Sequence, residues 1–196
     1  QTCALPICNY CRSYETYVRR KLPKNSLIRL VKEIKESSKN SKYDCVVALS
    51  GGVDSCYMLY YAKEVLSLRV MAVHIDNGWN RAQTVDNMYN VLEKLDVDFH
   101  TIVLDWNGYS KLQKAVLLCN VPDIEVPTDH IVNASLYKFA LSIGVKYLFH
   151  GMTSKTESIP IPQWSYGHSD WYYLSSLYKS VYSDNDFKKL THYSFL

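Results

Sequence analysis

Apolar positions along this chain follow two periods. Leu27, Leu30, Val31 and Ile34 recur at helical spacing between Pro23 and Ser38, with Ser26 placed to cap the start. After a polar linker at 40–42, an apolar run from Tyr43 to Leu49 reads as a strand. From there the two patterns alternate. A helix is expected over Asp54–Ser67, a strand over Arg69–Ile75 and a helix over about 81–96. A strand over Asp98–Leu104 and a helix over Tyr109–Cys119 come next, then a helix over Ile131–Ile143 and a strand over Val145–His150. Asp76-Asn77-Gly78 reads as a turn and the proline-containing Val121–Asp129 as a loop. Strands alternating with helices imply right-handed crossovers, and so an α/β fold with a parallel sheet and helices on both faces. Ligands of such sheets bind beyond the carboxyl ends of the strands. Ser50–Ser55, Asp76–Gly78, Asp105 and His150–Thr153 each follow a strand and are expected on that edge.

Composition narrows the class. A length of 196 residues accommodates one domain with a real core, and 47% hydrophobic with 21% charged residues excludes a disordered chain. A net charge of +3 is too mild to argue for nucleic acid. No apolar run is long enough to span a bilayer, and no secretory signal is visible. Of the six cysteines, Cys45 falls in the first strand, Cys56 after the first turn and Cys119 at a helix end. The absence of an export signal points to reducing cytoplasm, so these three are read as buried small hydrophobes. Cys56, in the first turn of a helix, is the one that would be reactive if a partner activated it.

The chemistry concentrates after the first strand, in Ser50-Gly51-Gly52-Val53-Asp54-Ser55. The glycines allow close approach to an anion and positive φ, the serines donate, and the following helix adds free N–H groups and its positive end. The pattern GxxxxGK[ST] and its lysine are absent. The loop resembles the pyrophosphate loop of the PP-loop ATP pyrophosphatases, which cleave ATP between the α and β phosphates. The bland alternative is a glycine-rich turn without a ligand.

The ends of the chain differ from its middle. Residues 1–7, including Cys3, resemble a translated sequencing adapter and are expected to be a non-native leader. Cys8-Asn-Tyr-Cys11 is half of a zinc knuckle, with an orphan cysteine pair as the equal alternative. Ile159–Trp171, with two prolines and two tryptophans, is read as a loop over the site followed by a short helix. The chain is expected to be cut off at both ends.

Five segments in order carry a more specific resemblance: Cys8–Glu15, Ser50–Ser55, His74–Trp79, Asp123–His130 and Trp164–Trp171. Together they resemble the N-acetyl sugar amidotransferases of bacterial surface polysaccharide synthesis, including that of lipopolysaccharide. These convert an N-acetyl group on a sugar to an acetamidino group. The resemblance implies a Rossmann-like PP-loop fold of the adenine nucleotide alpha hydrolase type over 41–158. It also implies a zinc-knuckle remnant and helix over 8–40 and the start of an aromatic substrate-binding region over 159–196.

The same resemblance implies ATP and Mg²⁺, with Ser50, Gly51, Gly52, Val53 and Ser55 around the pyrophosphate. Asp54 would orient the loop or reach the metal, or else serve as an N-cap. Asp76 and Asn77 would lie near the adenosine, or form only a turn. Gly151 would let the nucleotide approach. Asp129, beside His130, is read as a helix cap or as a substrate or metal group. Trp164, His168 and Asp170 would contact the sugar, or pack. Cys8 and Cys11 would bind Zn²⁺ with an upstream pair. A UDP-linked N-acetyl sugar is the implied substrate and a separate glutaminase the implied ammonia source. The competing readings are a PP-loop enzyme that modifies tRNA by thiolation or lysine ligation, and an inactive nucleotide-binding fragment.

Overall fold

The computed structural model describes residues 8–18, 23, 25–153 and 168–193. A short helix α1 (Asn9–Ser13) runs into a π-helical stretch, Tyr14–Val18, and α2 spans Ser26–Ser37. Strand β1 (Cys45–Ala48) leads to α3 (Val53–Tyr60), which continues as the π-helical turn Tyr61–Val65. Strand β2 (Val70–Asp76) leads to α4 (Ala82–Leu95), and β3 (Asp98–Val103) to α5 (Trp106–Leu118). Helix α6 (Val126–Ser142) precedes the two-residue β4 (Leu148–Phe149). Helix α7 (Trp171–Val181) is followed by the 3-10 turn Asp186–Lys189.

The four strands are parallel in the order β3-β2-β1-β4. The chain starts at β1, winds outward through β2 and β3, then returns to pair β4 on the other side of β1. The reversal between β1 and β4 is the switch point of a doubly wound sheet, where a crevice opens beyond the carboxyl ends. The fold expected from the alternation, an α/β sheet with helices on both faces, is the one observed.

Strand alternation sorts the core. Cys45, Val47, Val70 and Ala72 pack with Ile34 of α2, Leu59 of α3, and Met88 and Leu92 of α4. Val46, Val73 and Ile75 turn the other way, onto Leu136 and Ala140 of α6. Each fully buried leucine among these contributes roughly 1.5–3 kcal/mol relative to exposure. A third cluster joins Tyr109, Leu112 and Val116 of α5 to Leu174 and Tyr178 of α7 and to Phe187. Lys111 holds the same junction by ion pairs to Asp184 at 2.8 Å and Asp186 at 2.7 Å.

The amino end of β1 is closed by a buried carboxylate. The Asp44 side chain is 4% exposed and receives the Arg69 guanidinium at 2.6 Å, the Arg69 backbone N–H at 2.7 Å and the Ser38 hydroxyl. Burial alone would raise this carboxyl's pKa, but these donors together hold it below the ordinary range.

Several element boundaries differ from the sequence expectation. Ser26 is the first residue of α2; Asn25 holds the N-cap position without a side-chain bond. Helix α5 starts at Trp106, earlier than Tyr109, because Asp105 caps it by accepting from the Gly108 N–H at 2.8 Å. Helix α6 starts within the expected loop: Pro127 lies in its first turn, where a missing N–H costs no helical bond. Strand β4 is shorter than Val145–His150. Among the described residues no helix is long and apolar enough to cross a membrane.

Candidate functional site

Ser50–Ser55 bridges the end of β1 and the start of α3, as expected. Its shape comes from its own hydroxyls. Ser55 is buried, and its Oγ accepts from the Ser50 N–H at 3.2 Å, lies 3.0 Å from the Ser50 Oγ and donates to the Gly52 carbonyl at 3.0 Å. Gly51 takes φ +79°, and a Cβ there would stand 2.3 Å from the Thr84 carbonyl oxygen. Glycine is therefore required by both conformation and space. The N–H groups of Val53, Asp54 and Ser55 occupy the first turn of α3, where the helix supplies no acceptor. Hydroxyls, free N–H groups and a helix amino end converge on one spot, a donor set that fits phosphate.

Asp54 is not a cap. The N-cap position is Gly52, without a side-chain bond, and Asp54 lies inside the first turn with an exposed carboxylate. Thr153 Oγ1 donates to it at 3.4 Å. Gly151, expected to let a nucleotide approach, also lets the loop backbone approach. A Cβ there would lie 2.5 Å from both the Cα and N of Ser55. The missing side chain makes room for the loop backbone, so that the segment after β4 presses directly on the phosphate loop.

Beyond these elements lies a cavity of about 310 Å³. Ser50, Ser55 and Gly151 form its polar side, while Val73, Ile75 and Leu136 form an apolar floor. His74 is buried in its wall. Its Nδ1 donates to the Leu49 carbonyl at 2.9 Å and its Nε2 accepts from the Asn80 amide at 3.1 Å, which fixes the tautomer. Asp76 spends one carboxylate oxygen on the turn, accepting from the Gly78 N–H at 3.0 Å and the Asn80 amide at 2.9 Å. Asn77 accepts from the Trp79 N–H at 3.1 Å and lines the cavity. The turn reading thus holds for both residues, and only Asn77 of the two is part of the wall. His150 also lines it; burial lowers its pKa, with Asp129 opposing in part.

A second cavity, about 570 Å³, adjoins the first through shared walls at Asn77 and Thr128. Trp79 and Trp106 meet edge to face here, centroids 5.3 Å apart. Gly78, at φ +79°, lets the Trp106 ring come in, since a Cβ there would lie 2.7 Å from it. A belt of hydrogen bonds crosses this cavity. Trp79 Nε1 donates to Gln113 Oε1 at 2.7 Å, Gln113 Nε2 donates to Tyr109 OH at 2.9 Å, and Tyr109 OH pairs with Thr128 Oγ1 at 2.9 Å. Burial pushes the Tyr109 phenol up, which keeps it a donor near neutrality.

The remaining predicted residues make contacts of their own. Asp129 lies inside the first turn of α6 and does not cap it. Its carboxylate pairs with His168 Nδ1 at 2.7 Å, and Asp123 pairs with His168 Nε2 at 3.2 Å. His130 is fully buried, donating from Nδ1 to the His168 carbonyl at 2.9 Å and accepting the Tyr193 N–H at 3.2 Å on Nε2. It is a packing residue, and it also fastens the His168 segment to α6. Asp170 caps α7 by accepting from the Tyr173 N–H at 2.9 Å. Trp164 lies outside the described residues. Cys56 is pushed up by burial, in keeping with the packing role expected. Cys8 and Cys11 are exposed with sulfurs 3.5 Å apart, and the hydrogen bond from Cys8 raises the Cys11 thiol. Among the described residues no group of three or more histidine, cysteine or acidic side chains is placed to hold a metal.

Sequence reasoning missed Asn80, Thr84, Thr128 and the Trp106–Tyr109–Gln113 face of α5. Asn80 and Thr84 follow a turn that was read only as far as Gly78. The α5 face was cut in two by the late helix start, which hid the spacing of Trp106, Tyr109 and Gln113 on one side.

Fold and site together define a doubly wound α/β domain with a hydroxyl-locked phosphate loop at its switch point. The family model described as Queuosine biosynthesis protein QueC matches residues 44–155, so the chain belongs to that family and, through it, to the PP-loop ATP pyrophosphatase superfamily. Uncharacterized protein MJ1599 of Methanocaldococcus jannaschii is 30% identical over 106 residues, which are 52% of this chain and 36% of that protein. The chain thus spans little more than a third of that relative. Among solved structures, an NMN synthetase from Francisella tularensis is 21% identical, with a TM-score of 0.46 over 64% of this chain and 53% of its own. The NH3-dependent NAD synthetase from Campylobacter jejuni is 18% identical, with a TM-score of 0.44 over 60% and 52%. The U34-tRNA thiolase NcsA from Methanococcus maripaludis, with its [4Fe-4S] cluster, is 14% identical, with a TM-score of 0.43 over 77% and 52%.

Proposed function

We propose that this protein is an ATP-dependent amidotransferase acting on the N-acetyl group of a nucleotide-linked sugar, in the cytoplasmic stage of bacterial surface polysaccharide synthesis. The observation that carries the reading is the phosphate loop at the switch point, built from hydroxyls and backbone N–H groups without a P-loop lysine. Such a cradle suits a departing pyrophosphate. Superfamily membership and the ordered motifs at Cys8–Glu15, His74–Trp79, Asp123–His130 and Trp164–Trp171 support it.

An acetamido oxygen is a poor leaving group, so the amide resists ammonia. In the proposed reaction that oxygen attacks the α-phosphorus of ATP. The bond from the α-phosphorus to the bridging oxygen breaks, pyrophosphate leaves, and the amide nitrogen releases its proton. Ammonia then adds to the activated carbon, the carbon–oxygen bond breaks, AMP departs and an amidine remains. Ser50, Ser55 and the first N–H groups of α3 would hold the negative charge that develops on the leaving oxygens. Mg²⁺ bound to the phosphates would share that charge, with Asp54 as the nearby carboxylate. A separate glutaminase would supply the ammonia. Cys8 and Cys11 would supply two thiolates of a zinc site.

The family's description, which names a biosynthesis protein of the nucleoside queuosine, favours a second reading, in which a PP-loop enzyme activates a tRNA nucleoside for modification. One experiment separates the two. The chain, extended to the length of its relatives, is supplied with ATP, Mg²⁺ and ammonium, together with either UDP-linked N-acetyl sugars or tRNA. The first reading requires AMP and pyrophosphate, with oxygen replaced by NH on a sugar. Modified tRNA with every sugar unchanged would establish the second, and ADP with free phosphate would end both.

A further inference from the structure

The phosphate-loop cavity already contains the surfaces that an adenylate needs. Its polar side is the hydroxyl-locked loop, and its floor of Val73, Ile75 and Leu136 matches the apolar body of a purine. Its volume of about 310 Å³ lies at the small end of ligand clefts, roughly 300–1,000 Å³. The aromatic cavity is larger, differently lined and separated from the first only at Asn77 and Thr128.

We infer that the aromatic cavity is the acceptor subsite, taking a hydroxylated sugar ring stacked on the indoles of Trp79 and Trp106 with its acetamido group directed past Asn77 and Thr128 to the phosphate loop. This rests on the amidotransferase reading and gives it a place in the fold. Three features favour a sugar here. The edge-to-face indole pair leaves ring surface in the cavity, and the apolar C–H face of a sugar covers such surface well. The belt from Trp79 through Gln113 and Tyr109 to Thr128 fixes amide and hydroxyl groups in place before any ligand arrives, and such groups pair with sugar hydroxyls at little ordering cost. Lys114 and Glu125 add one cation for a diphosphate and one acceptor for hydroxyls. The belt ends on Thr128, a wall of both cavities, so it marks the passage between the two substrates.

Trp79 is 62% exposed, so its replacement removes a binding surface and little of the core. The test measures equilibrium binding of UDP-N-acetylglucosamine, UDP-N-acetylgalactosamine and their 3-acetamido derivatives, and separately of α,β-methylene-ATP, to the wild-type chain, Trp79→Ala and Trp79→Phe. The expected result for Trp79→Ala is sugar affinity weakened about tenfold, with nucleotide affinity changed by less than about twofold. Trp79→Phe, which keeps an aromatic face, should lose less. Sugar binding by the wild type that neither substitution weakens overturns the subsite and leaves the amidotransferase reading standing. Weakened binding of α,β-methylene-ATP in Trp79→Ala overturns it too, by assigning the cavity to adenine. A wild type that binds the nucleotide and no sugar of the panel overturns both.

Discussion

The two ends of the β1–β2 pair are built on opposite principles. At the amino end one buried carboxylate, Asp44, is saturated by Arg69 and Ser38. At the carboxyl end the same strands deliver Ser50, Ser55, His74 and Asn77 to the wall of an open cavity. Polar groups at one end are consumed within the protein. At the other, hydroxyls and helix N–H groups are aligned by internal bonds and still face outward. The contrast separates a polar cluster that secures the fold from one that can receive a ligand. Both are charged or hydroxylated, and composition alone does not tell them apart.

The strongest way to break the comparison is at Asp44. Asp44→Ala removes the carboxylate partner of Arg69, whose guanidinium keeps the Ser38 and Ser41 carbonyls; removing one partner of a buried pair costs about 3–5 kcal/mol, and the half-exposed guanidinium brings the expected loss to about 3. Urea unfolding should show that loss, while the folded fraction keeps its affinity for α,β-methylene-ATP. Gly51→Ala should break the opposite end. Strained φ and overlap with Thr84 together cost about 2–3 kcal/mol, and nucleotide binding should fall with stability. Ser55→Ala should sharpen the difference, lowering α,β-methylene-ATP affinity roughly tenfold because the hydroxyl that holds Ser50 and Gly52 in the loop's shape is gone, with about 1 kcal/mol lost from unfolding. A titration measures the amino end alone. The folded Asp44 carboxyl lies below its unfolded value of about 3.9, so its contribution is present above that pH and disappears as pH falls through the folded value. The acid side of the stability curve should therefore flatten in Asp44→Asn. The smallest effect concerns Cys8 and Cys11: two exposed thiols should hold Zn²⁺ weakly, and dialysis should remove it.

The alternation of apolar strands and helices was sufficient to read the parallel sheet and to place Ser50–Ser55 at its carboxyl edge, because burial on a parallel sheet leaves long-range order in a local pattern. The helix starts were not legible. Asp105 looked like a strand-end carboxylate and Pro127 like a loop breaker, yet both begin helices, and each error hid part of the aromatic cavity. Asp129 and Asp54 were read as possible caps from their place before helical runs. Helix α3 begins at Val53 and α6 at Val126, which places both inside a first turn. The contact between Gly151 and Ser55 could not be read from the sequence, because the two are close only once β4 has paired with β1.

That contact sets an order of events during synthesis. The phosphate loop emerges early from the ribosome with its serines and glycines complete. Its second wall is made by residues that follow β4, much later in the chain, and such non-local contacts form late. A nascent chain halted before Leu148 would carry the whole loop sequence with one side open to solvent. Competence to receive a nucleotide would then begin when β4 docks, and ATP added to arrested chains of increasing length should find its site only after the segment at Gly151 has left the exit tunnel.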